Sequence, residues 1–172
     1  NRAAIVGLAA LGVVGGKTGG GFDPETNLTR AEFATIVVNA LGLTPKANDH
    51  FTDVKAGDWF APYVGTAYAY GIVSGTGETT FEPNGTITRQ EAAVMTAQAA
   101  RLCGMDTALD TAAVRDVLAQ FGDYVTADSW ARTGLAFCYD NGILDDSDLN
   151  IRPKTAVKRC EMAQMIWNLL GS

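Results

Sequence analysis

The sequence predicts an all-α fold made of three tandem helical repeats, and two observations support that prediction. One segment recurs three times with a Pro, an Arg and a Glu at matching places, at residues 22–32, 81–91 and 151–161. An apolar stretch with helical spacing precedes each copy, at residues 4–16, 63–75 and 133–146. Self-similarity of this kind determines the architecture before local propensities do.

The repeats predict one domain over residues 1–172 with unequal spacing inside it. The repeated prolines are 59 and 70 residues apart, because residues 103–120 form an insert with the pattern of a short extra helix at 111–121. Repeat one is assigned to residues 1–44, repeat two to 51–102 and repeat three to 121–172. The chain starts at Asn1, and we interpret this start as a trimmed edge of repeat one.

The first helix of each repeat is expected to end at a glycine. Gly12, Gly71 and Gly142 lie where a left-handed cap would stop the helix. The following Val or Ile would then fold back as the apolar contact of that cap.

The second helix begins with a capping signal in two of the copies. Thr29 with Glu32, and Thr88 with Glu91, match the Ser/Thr-x-x-Glu capping box. The Arg between them has no duty in the cap and is expected to point outward at the first helical position. The three arginines are therefore candidate functional residues, with a solvated Arg that has no partner as the alternative: Arg30, Arg89 and Arg159.

Repeats two and three carry an extra piece in front of the first helix. It contains Asp53 or Asp123, followed by Trp59 or Trp130. A Trp near a helix start is either a lid on the core or a platform for a sugar, since its ring is large and keeps a polar end. The pattern leaves both roles open, whereas the equivalent positions of the two Asp residues suggest a turn or cap.

Composition excludes several classes of function. The formal net charge is −6, which argues against nucleic acid because phosphate binding needs a basic face. No stretch is apolar for long enough to span a membrane. Residues 3–14 resemble the apolar part of a signal peptide, but they align with the later repeats, and we assign them to the fold.

No cofactor or metal is predicted. Three cysteines without a C-x-x-C pair give no zinc or redox motif, and they are expected to be buried thiols. His50 is the only histidine and is placed at the surface.

Two partial motifs fail on inspection. Gly15 to Thr18 looks like the end of a phosphate-binding loop, but Leu11 stands where that motif needs Gly. Asp146 and Asp148 look like the start of a calcium loop, but Ile151 stands where Gly is required.

The repeated residues resemble the S-layer homology domain family, whose repeat reads roughly F-x-D-V…W…GI…G…F-x-P…(I/L)-T-R-x-E. Repeat two matches this pattern almost throughout, repeat one from its helix onward, and repeat three with departures. The resemblance covers essentially the whole chain. It implies a pseudo-threefold, prism-like helical bundle in which the second helix of one repeat packs beside the first helix of the next.

The resemblance also implies a function and a place. The family anchors bacterial surface proteins, without a covalent bond, to secondary cell-wall polysaccharide whose terminal sugar carries a pyruvate ketal. The ligand lies in grooves between repeats, with the T-R-x-E arginine as the key residue. A guanidinium at a helix N-terminus suits such a carboxylate, because the fixed charge, the paired donors and the helix dipole act together.

Carried over residue by residue, the resemblance predicts one main groove. Arg30 and Arg89 would hold the carboxylate, Trp59 would stack on the sugar, and Gly16, Ser74 and Gly75 would donate from the loops, with Asp53 placed among them. Arg159, Trp130 and Lys158 are weaker candidates, because repeat three departs from the pattern. Lys158 replaces the capping Thr, and Asp145, Asp146 and Asp148 stand in a loop that is glycine-rich elsewhere, so the Arg159 groove is expected to be weak.

Two other classes of function compete with this one. A glycosidase needs two carboxylates across a cleft, but repeated sites without a unique residue favour binding, and no enzyme activity is expected. A lattice-assembly module that binds no sugar is the main alternative, and it should tolerate Arg30→Ala and Arg89→Ala. Both substitutions are expected to cost little stability, since an exposed Arg contributes little. Self-association through a swapped first segment is a further possibility, which light scattering would test.

Overall fold

Six α-helices and one short 3₁₀ turn form the regular structure of residues 26–171, the part of the chain that the computed structural model describes. The helices are α1 Arg30–Ala40, α2 Ala61–Ala69, α3 Arg89–Leu102, α4 Thr111–Leu118, α5 Ser129–Asp140 and α6 Arg159–Leu170, with the 3₁₀ turn at Tyr124–Thr126. The described residues contain three isolated β-bridges and no strand. The all-α prediction is confirmed, whereas the helix predicted within residues 4–16 lies outside the described residues.

The three repeats meet in a closed ring of backbone hydrogen bonds. The Leu28 amide donates to Val157 (3.0 Å), the Val157 amide to Ile87 (2.8 Å), and the Ile87 amide to Leu28 (3.3 Å). All three side chains are fully buried. Each of these residues directly precedes the N-cap of a second helix, so the ring brings the starts of α1, α3 and α6 together.

The first-turn amides of these helices are satisfied by the next repeat. Arg30 and Ala31 donate their amides to the carbonyls of Gly85 (2.9 Å) and Pro83 (3.0 Å). The equivalent bonds at α3 run from Arg89 to Thr155 and from Gln90 to Pro153, both at 2.9 Å. Helix N-termini normally leave such amides without an intrahelical partner, and here the neighbouring turn fills that place. A ligand at these helix starts therefore finds the amides already occupied, contrary to what the sequence suggested.

The glycine caps of the first helices are confirmed at both described positions. Gly71 and Gly142 have φ of 75° and 71°. Ile72 and Ile143 follow them, are almost fully buried, and donate backwards to carbonyls of the preceding helix. Gly12 lies outside the described residues.

Helix packing follows the order of the repeats. α1 packs against α2, and α3 packs against α5, so a second helix lies beside the first helix of the next repeat in both cases. Gly134 makes the α3–α5 contact close, since a Cβ there would lie 3.0 Å from the Cα of Val94. The insert helix α4 packs on α5 and ends three residues before the predicted limit of 121. The prism-like arrangement of all three repeats stays a prediction.

The cysteines differ in their surroundings. Cys138 and Cys160 are buried, and burial raises the pKa of the Cys138 thiol well above its ordinary value. Cys103 is exposed at the C-cap of α3. The expectation of three buried thiols is therefore wrong at Cys103, because the helix ends there and the chain turns into the insert.

Thiol labelling at pH 8 should separate these residues. We expect Ellman's reagent to modify Cys103 rapidly in the native protein, because its thiol is accessible, and Cys138 only after unfolding. Mass spectrometry of digested, labelled protein measures both rates. Rapid native labelling of Cys138 would contradict the packing of α5 against α3.

Candidate functional site

An ion pair joins each repeat to the next at the start of the second helices. Arg30 Nη1 lies 2.5 Å from Oε2 of Glu91. The other two pairs are Arg89 with Glu161 and Arg159 with Glu32. The third pair connects repeat three to repeat one, so the pairs form a closed cycle.

The three arginines are buried. Arg30, Arg89 and Arg159 are 5%, 9% and 5% exposed. The expectation that they point outward is wrong, because each side chain turns back across the boundary between repeats to reach a carboxylate. The argument that they have no structural duty fails for the same reason.

Each partner Glu serves the cap of its own helix as well. Oε1 of Glu91 accepts from the Thr88 amide at 3.1 Å, while Oε2 takes Arg30. Oε1 of Glu32 accepts from the Thr29 amide, also at 3.1 Å. The threonine hydroxyls accept the Glu amides in return, at 3.3 Å in α3 and 3.1 Å in α1. One carboxylate thus closes a capping box and holds the Arg of the preceding repeat.

Repeat three keeps half of this arrangement. Glu161 accepts from the Lys158 amide at 3.0 Å. An ammonium group has no lone pair to accept the Glu161 amide, so the reciprocal bond is lost there. Lys158 is exposed at the N-cap of α6.

Asp53 fixes the turn that carries the repeated Pro. Its carboxylate accepts from the amides of Phe81 (2.9 Å) and Glu82 (2.8 Å). Glu82 has φ 56°, a left-handed conformation that costs a non-glycine residue roughly 1–2 kcal/mol. Asp123 holds the equivalent turn through Ile151 (2.8 Å) and Arg152 (2.9 Å), and Arg152 has φ 53°.

The turns that Asp53 and Asp123 fix also position Arg30 and Arg89. Arg30 Nε donates to the Phe81 carbonyl at 2.8 Å, and its guanidinium carbon lies 5.3 Å from the centre of the Phe81 ring. Arg89 Nε donates to the Ile151 carbonyl at 2.9 Å. Asp53 therefore reaches the Arg30 site only through the backbone of the turn.

A groove of about 460 Å³ is formed mainly by repeat two, and Arg30 of repeat one and Trp130 of repeat three complete its lining. The loop after α2 forms one wall, α3 forms the other, and a Trp from the start of α5 completes it. We call it the Arg30 groove, and it is lined by Arg30, Gly71, Ile72, Ser74, Gly75, Thr76, Glu91, Val94, Met95, Gln98 and Trp130.

The structure brings only some of the predicted site residues together here. Arg30, Ser74 and Gly75 line the groove. Arg89 and Asp53 do not line it, because Arg89 lies at the next boundary and Asp53 is held under the turn. Gly16 lies outside the described residues.

The tryptophan that lines the Arg30 groove is Trp130 and not Trp59, which the sequence predicted. Trp130, the second residue of α5, lines the Arg30 groove and is 58% exposed. Trp59 is 62% exposed, contacts Phe60 edge-on, and does not line this groove. The Trp of the Arg30 groove thus comes from the repeat that follows its loop, whereas the prediction had taken it from the same repeat as the loop.

The groove-lining residues of α3 were not predicted from the sequence. Val94, Met95 and Gln98 follow Glu91 at intervals of three, four and seven residues. That spacing places them on one helical face with the capping carboxylate. Counting forward from the capping Glu would have found them.

A second groove, of about 660 Å³, occupies the corresponding place in repeat three. We call it the acidic groove, and it is lined by Tyr139, Asp140, Gly142, Leu144, Asp145, Asp146, Gln164 and Asn168. Burial raises the pKa of Tyr139 above its usual value, and the nearby charge of Arg89 opposes that rise. Hydrogen bonds from the Ser147 amide and hydroxyl lower the pKa of Asp145. Arg89 donates to the carbonyl of Ile151 at 2.9 Å, directly after this loop, so the acidic loop ends beside Arg89. The expectation that the Arg159 groove is weak stays a prediction.

Within residues 26–171 no three His, Cys, Asp or Glu side chains come together as a metal site. No helix in that part of the chain is long and apolar enough to cross a membrane.

Comparison with known proteins supports the repeat pattern. The profile of a family described as the S-layer homology domain matches residues 4–34 and 50–93. The Surface-layer 125 kDa protein of Lysinibacillus sphaericus is 32% identical over 94% of the chain. Exoglucanase XynX of Acetivibrio thermocellus is 34% identical over 95% of it, and the S-layer protein sap of Bacillus anthracis is 32% identical over 92%.

The chain corresponds to a small part of each relative. It spans 13% of the surface-layer protein, 15% of the exoglucanase and 19% of the S-layer protein sap. The relatives share this module while their names describe different activities.

Replacing Arg89 tests the ion-pair cycle. We expect Arg89→Ala to lower the free energy of unfolding by about 3 kcal/mol, because it leaves the Glu161 carboxylate without its partner in a largely buried place. Urea denaturation followed by circular dichroism measures the change. Lys154→Ala is the control, since Lys154 and Asp128 form an exposed pair at 3.6 Å, and such pairs contribute under about 1 kcal/mol. Equal losses in the two variants would contradict the structural role of Arg89.

Replacing Asp53 distinguishes a structural role from ligand contact. We expect Asp53→Ala to cost about 2–3 kcal/mol of stability, because two amides lose a charged acceptor. Asp49→Ala, at an exposed position, should change stability by less than about 0.5 kcal/mol. Thermal unfolding of both variants provides the measurement. An Asp53→Ala protein of unchanged stability would show that the clamp does not matter.

Proposed function

Since the chain belongs to the S-layer homology domain family, we propose that it binds the anionic, pyruvate-bearing end of a cell-wall polysaccharide in the Arg30 groove. Proteins of this family lie at the bacterial cell surface or cell wall, and this module anchors them there. The groove would supply the non-covalent contact on which that anchoring depends.

One observation supports this proposal above the others: a guanidinium and an exposed indole line the same groove. Arg30 is an obligate cation with paired donors that suit a carboxylate. Trp130 presents a broad apolar ring that suits a sugar face. A volume of about 460 Å³ is within the usual range for small-molecule sites.

Arg30 keeps donors for a ligand although it is paired. Its bonds to described residues use Nε, toward Phe81, and Nη1, toward Glu91. The two N–H groups of Nη2 are left. Because Glu91 already balances the charge of Arg30, the ligand carboxylate would be recognised by directed hydrogen bonds rather than by an excess of positive charge.

The loop after α2 offers further donors. The Ser74 hydroxyl and the amides of Ser74 and Gly75 take no hydrogen-bond partner among the described residues. By contrast, the Thr76 amide is occupied by the Thr80 carbonyl at 2.9 Å. Gly75 brings this backbone to the groove without a side chain in the way.

The same groove gives no basis for glycoside hydrolysis, and we infer that the chain is not an enzyme. Glu91 is the one carboxylate among its lining residues, and both oxygens are engaged. A glycosidase needs two carboxyl groups placed across the scissile bond. Asp53 and Asp123 are each held by two backbone amides.

The buried arginines change how the proposal must be tested. Arg30→Ala would weaken the fold whether or not Arg30 binds sugar, so it cannot separate anchoring from lattice assembly. Trp130 is more than half exposed, and its replacement should leave stability within about 1 kcal/mol. It is therefore the cleaner probe.

We expect Trp130→Ala to weaken binding of a purified pyruvylated wall-polymer fragment at least tenfold, because stacking on the sugar is lost. Isothermal titration calorimetry measures the dissociation constant. Val125→Ala, at a 66% exposed position of repeat three outside the groove, is the control and should bind like the parent. Unchanged affinity in Trp130→Ala, with a tenfold loss in Trp59→Ala, would move the site to another boundary.

A further inference from the structure

The two described grooves share one scaffold. Each lies between a loop that follows a glycine cap, at Gly71 or Gly142, and one face of a second helix. Gln98 and Asn168 occupy the same place in the repeat and line their respective grooves. Arg30 lines the first groove, and Arg89 donates to the carbonyl of Ile151 at 2.9 Å, directly after the loop of the second.

The loops give the two grooves different charges. Ser74 and Gly75 line the Arg30 groove, and Asp145 and Asp146 take their places in the acidic groove. The lining of the Arg30 groove has one base and one acid. The lining of the acidic groove has three acids and no base, because Asp140 also contributes.

The loop backbones differ as well. Gly75 has φ 93°, and a Cβ there would lie 2.5 Å from the Thr80 carbonyl oxygen and 2.7 Å from Phe51 Cε1. A side chain cannot be placed in that conformation without moving the loop. Asp146 does not adopt a positive φ, and Asp145 instead accepts hydrogen bonds from the amide and hydroxyl of Ser147, at 2.9 and 2.8 Å. The repeat-three loop is thus built on its own side-chain contacts and not on a glycine turn.

We propose that the loop after the first helix of each repeat decides which groove accepts the anionic ligand. This inference rests on the proposed function. The Arg30 groove accepts the ligand, and Asp145 and Asp146 exclude it from the acidic groove. A carboxylate at about 5 Å from another lowers affinity roughly fourfold in water, and more where the groove excludes water. Two of them lower it roughly tenfold or more. The repeats are therefore unequal in binding although they are equal in scaffold.

Side-chain NMR signals can report on the two grooves separately. The probe is a methyl glycoside that carries a pyruvate ketal, titrated into the ¹⁵N-labelled chain. We expect the Gln98 side-chain amide and the Trp130 indole N–H to shift. The side-chain amides of Gln164 and Asn168 should stay unchanged at the same concentrations.

Two variants of the acidic groove should then gain binding. Asp145→Asn/Asp146→Asn removes the charge and keeps the size of both side chains. Replacing residues 145–150 with the sequence of residues 74–80 also restores the glycine turn. We expect the Gln164 and Asn168 signals to shift on titration in both variants, at least tenfold more readily than in the parent. Asp49→Asn/Asp116→Asn removes the same net charge at exposed positions outside both grooves and should behave like the parent.

The outcomes separate this inference from the proposed function. If the Gln98 and Trp130 signals do not respond in the parent, the proposed function fails. If they respond, but Gln164 and Asn168 respond equally in the parent, the acidic groove accepts the ligand and the inference is overturned. Failure of both acidic-groove variants to gain binding while they retain the parent spectrum elsewhere overturns it as well.

Discussion

The fold depends on one exchange that is repeated around the starts of the second helices: each repeat gives an Arg to the next and receives one from the previous. The Arg–Glu pairs lie beside the closed backbone ring of Leu28, Ile87 and Val157, and the turn that carries the repeated Pro fills the helix N-termini. Because the Glu that receives the Arg also closes its own helix cap, helix initiation and repeat docking use the same side chain. A buried ion pair of this kind is strongly destabilising to break, even where its net contribution is small.

This scaffold explains how a groove acquires its chemistry. The ion pair fixes Arg30 with its Nη2 donors left over, and the loop and the following repeat supply the rest of the surface. The scaffold residues have to be shared by all three repeats, since each one contacts its neighbours. The loop residues are free of this constraint. Repeat three can therefore carry Asp145 and Asp146 where repeat two has Ser74 and Gly75, without loss of the fold.

Much of the fold could be predicted from the sequence, because the local helix signals recur in the same order in each repeat. Some of these signals depend only on contacts between residues close in the sequence. They are the capping Thr and Glu residues, the glycine caps and the insert helix. The burial of Arg30 could not be predicted in this way, since its partner Glu91 is 61 residues away and the capping box already explained the Glu. The place of Trp130 in the groove was missed for a related reason. The Arg30 groove combines residues from three repeats, whereas a motif written along one copy takes the loop and the Trp from the same copy. Asp53 had two predicted roles, one in a turn or cap and one among the ligand residues. Its bonds to the amides of Phe81 and Glu82 give it the turn role, and the ligand contact stays a prediction.

We propose that directed contacts in the Arg30 groove recognise the carboxylate of the ketal. Calorimetric titration of the chain with purified pyruvylated wall-polymer fragments, beside the same fragments with the ketal removed, tests it most directly. We expect binding to the pyruvylated fragment and at least a tenfold weaker affinity without the ketal, since a carboxylate–guanidinium contact is lost. Equal affinity for the two fragments would contradict it, and would mean that Arg30 serves the joint between repeats alone.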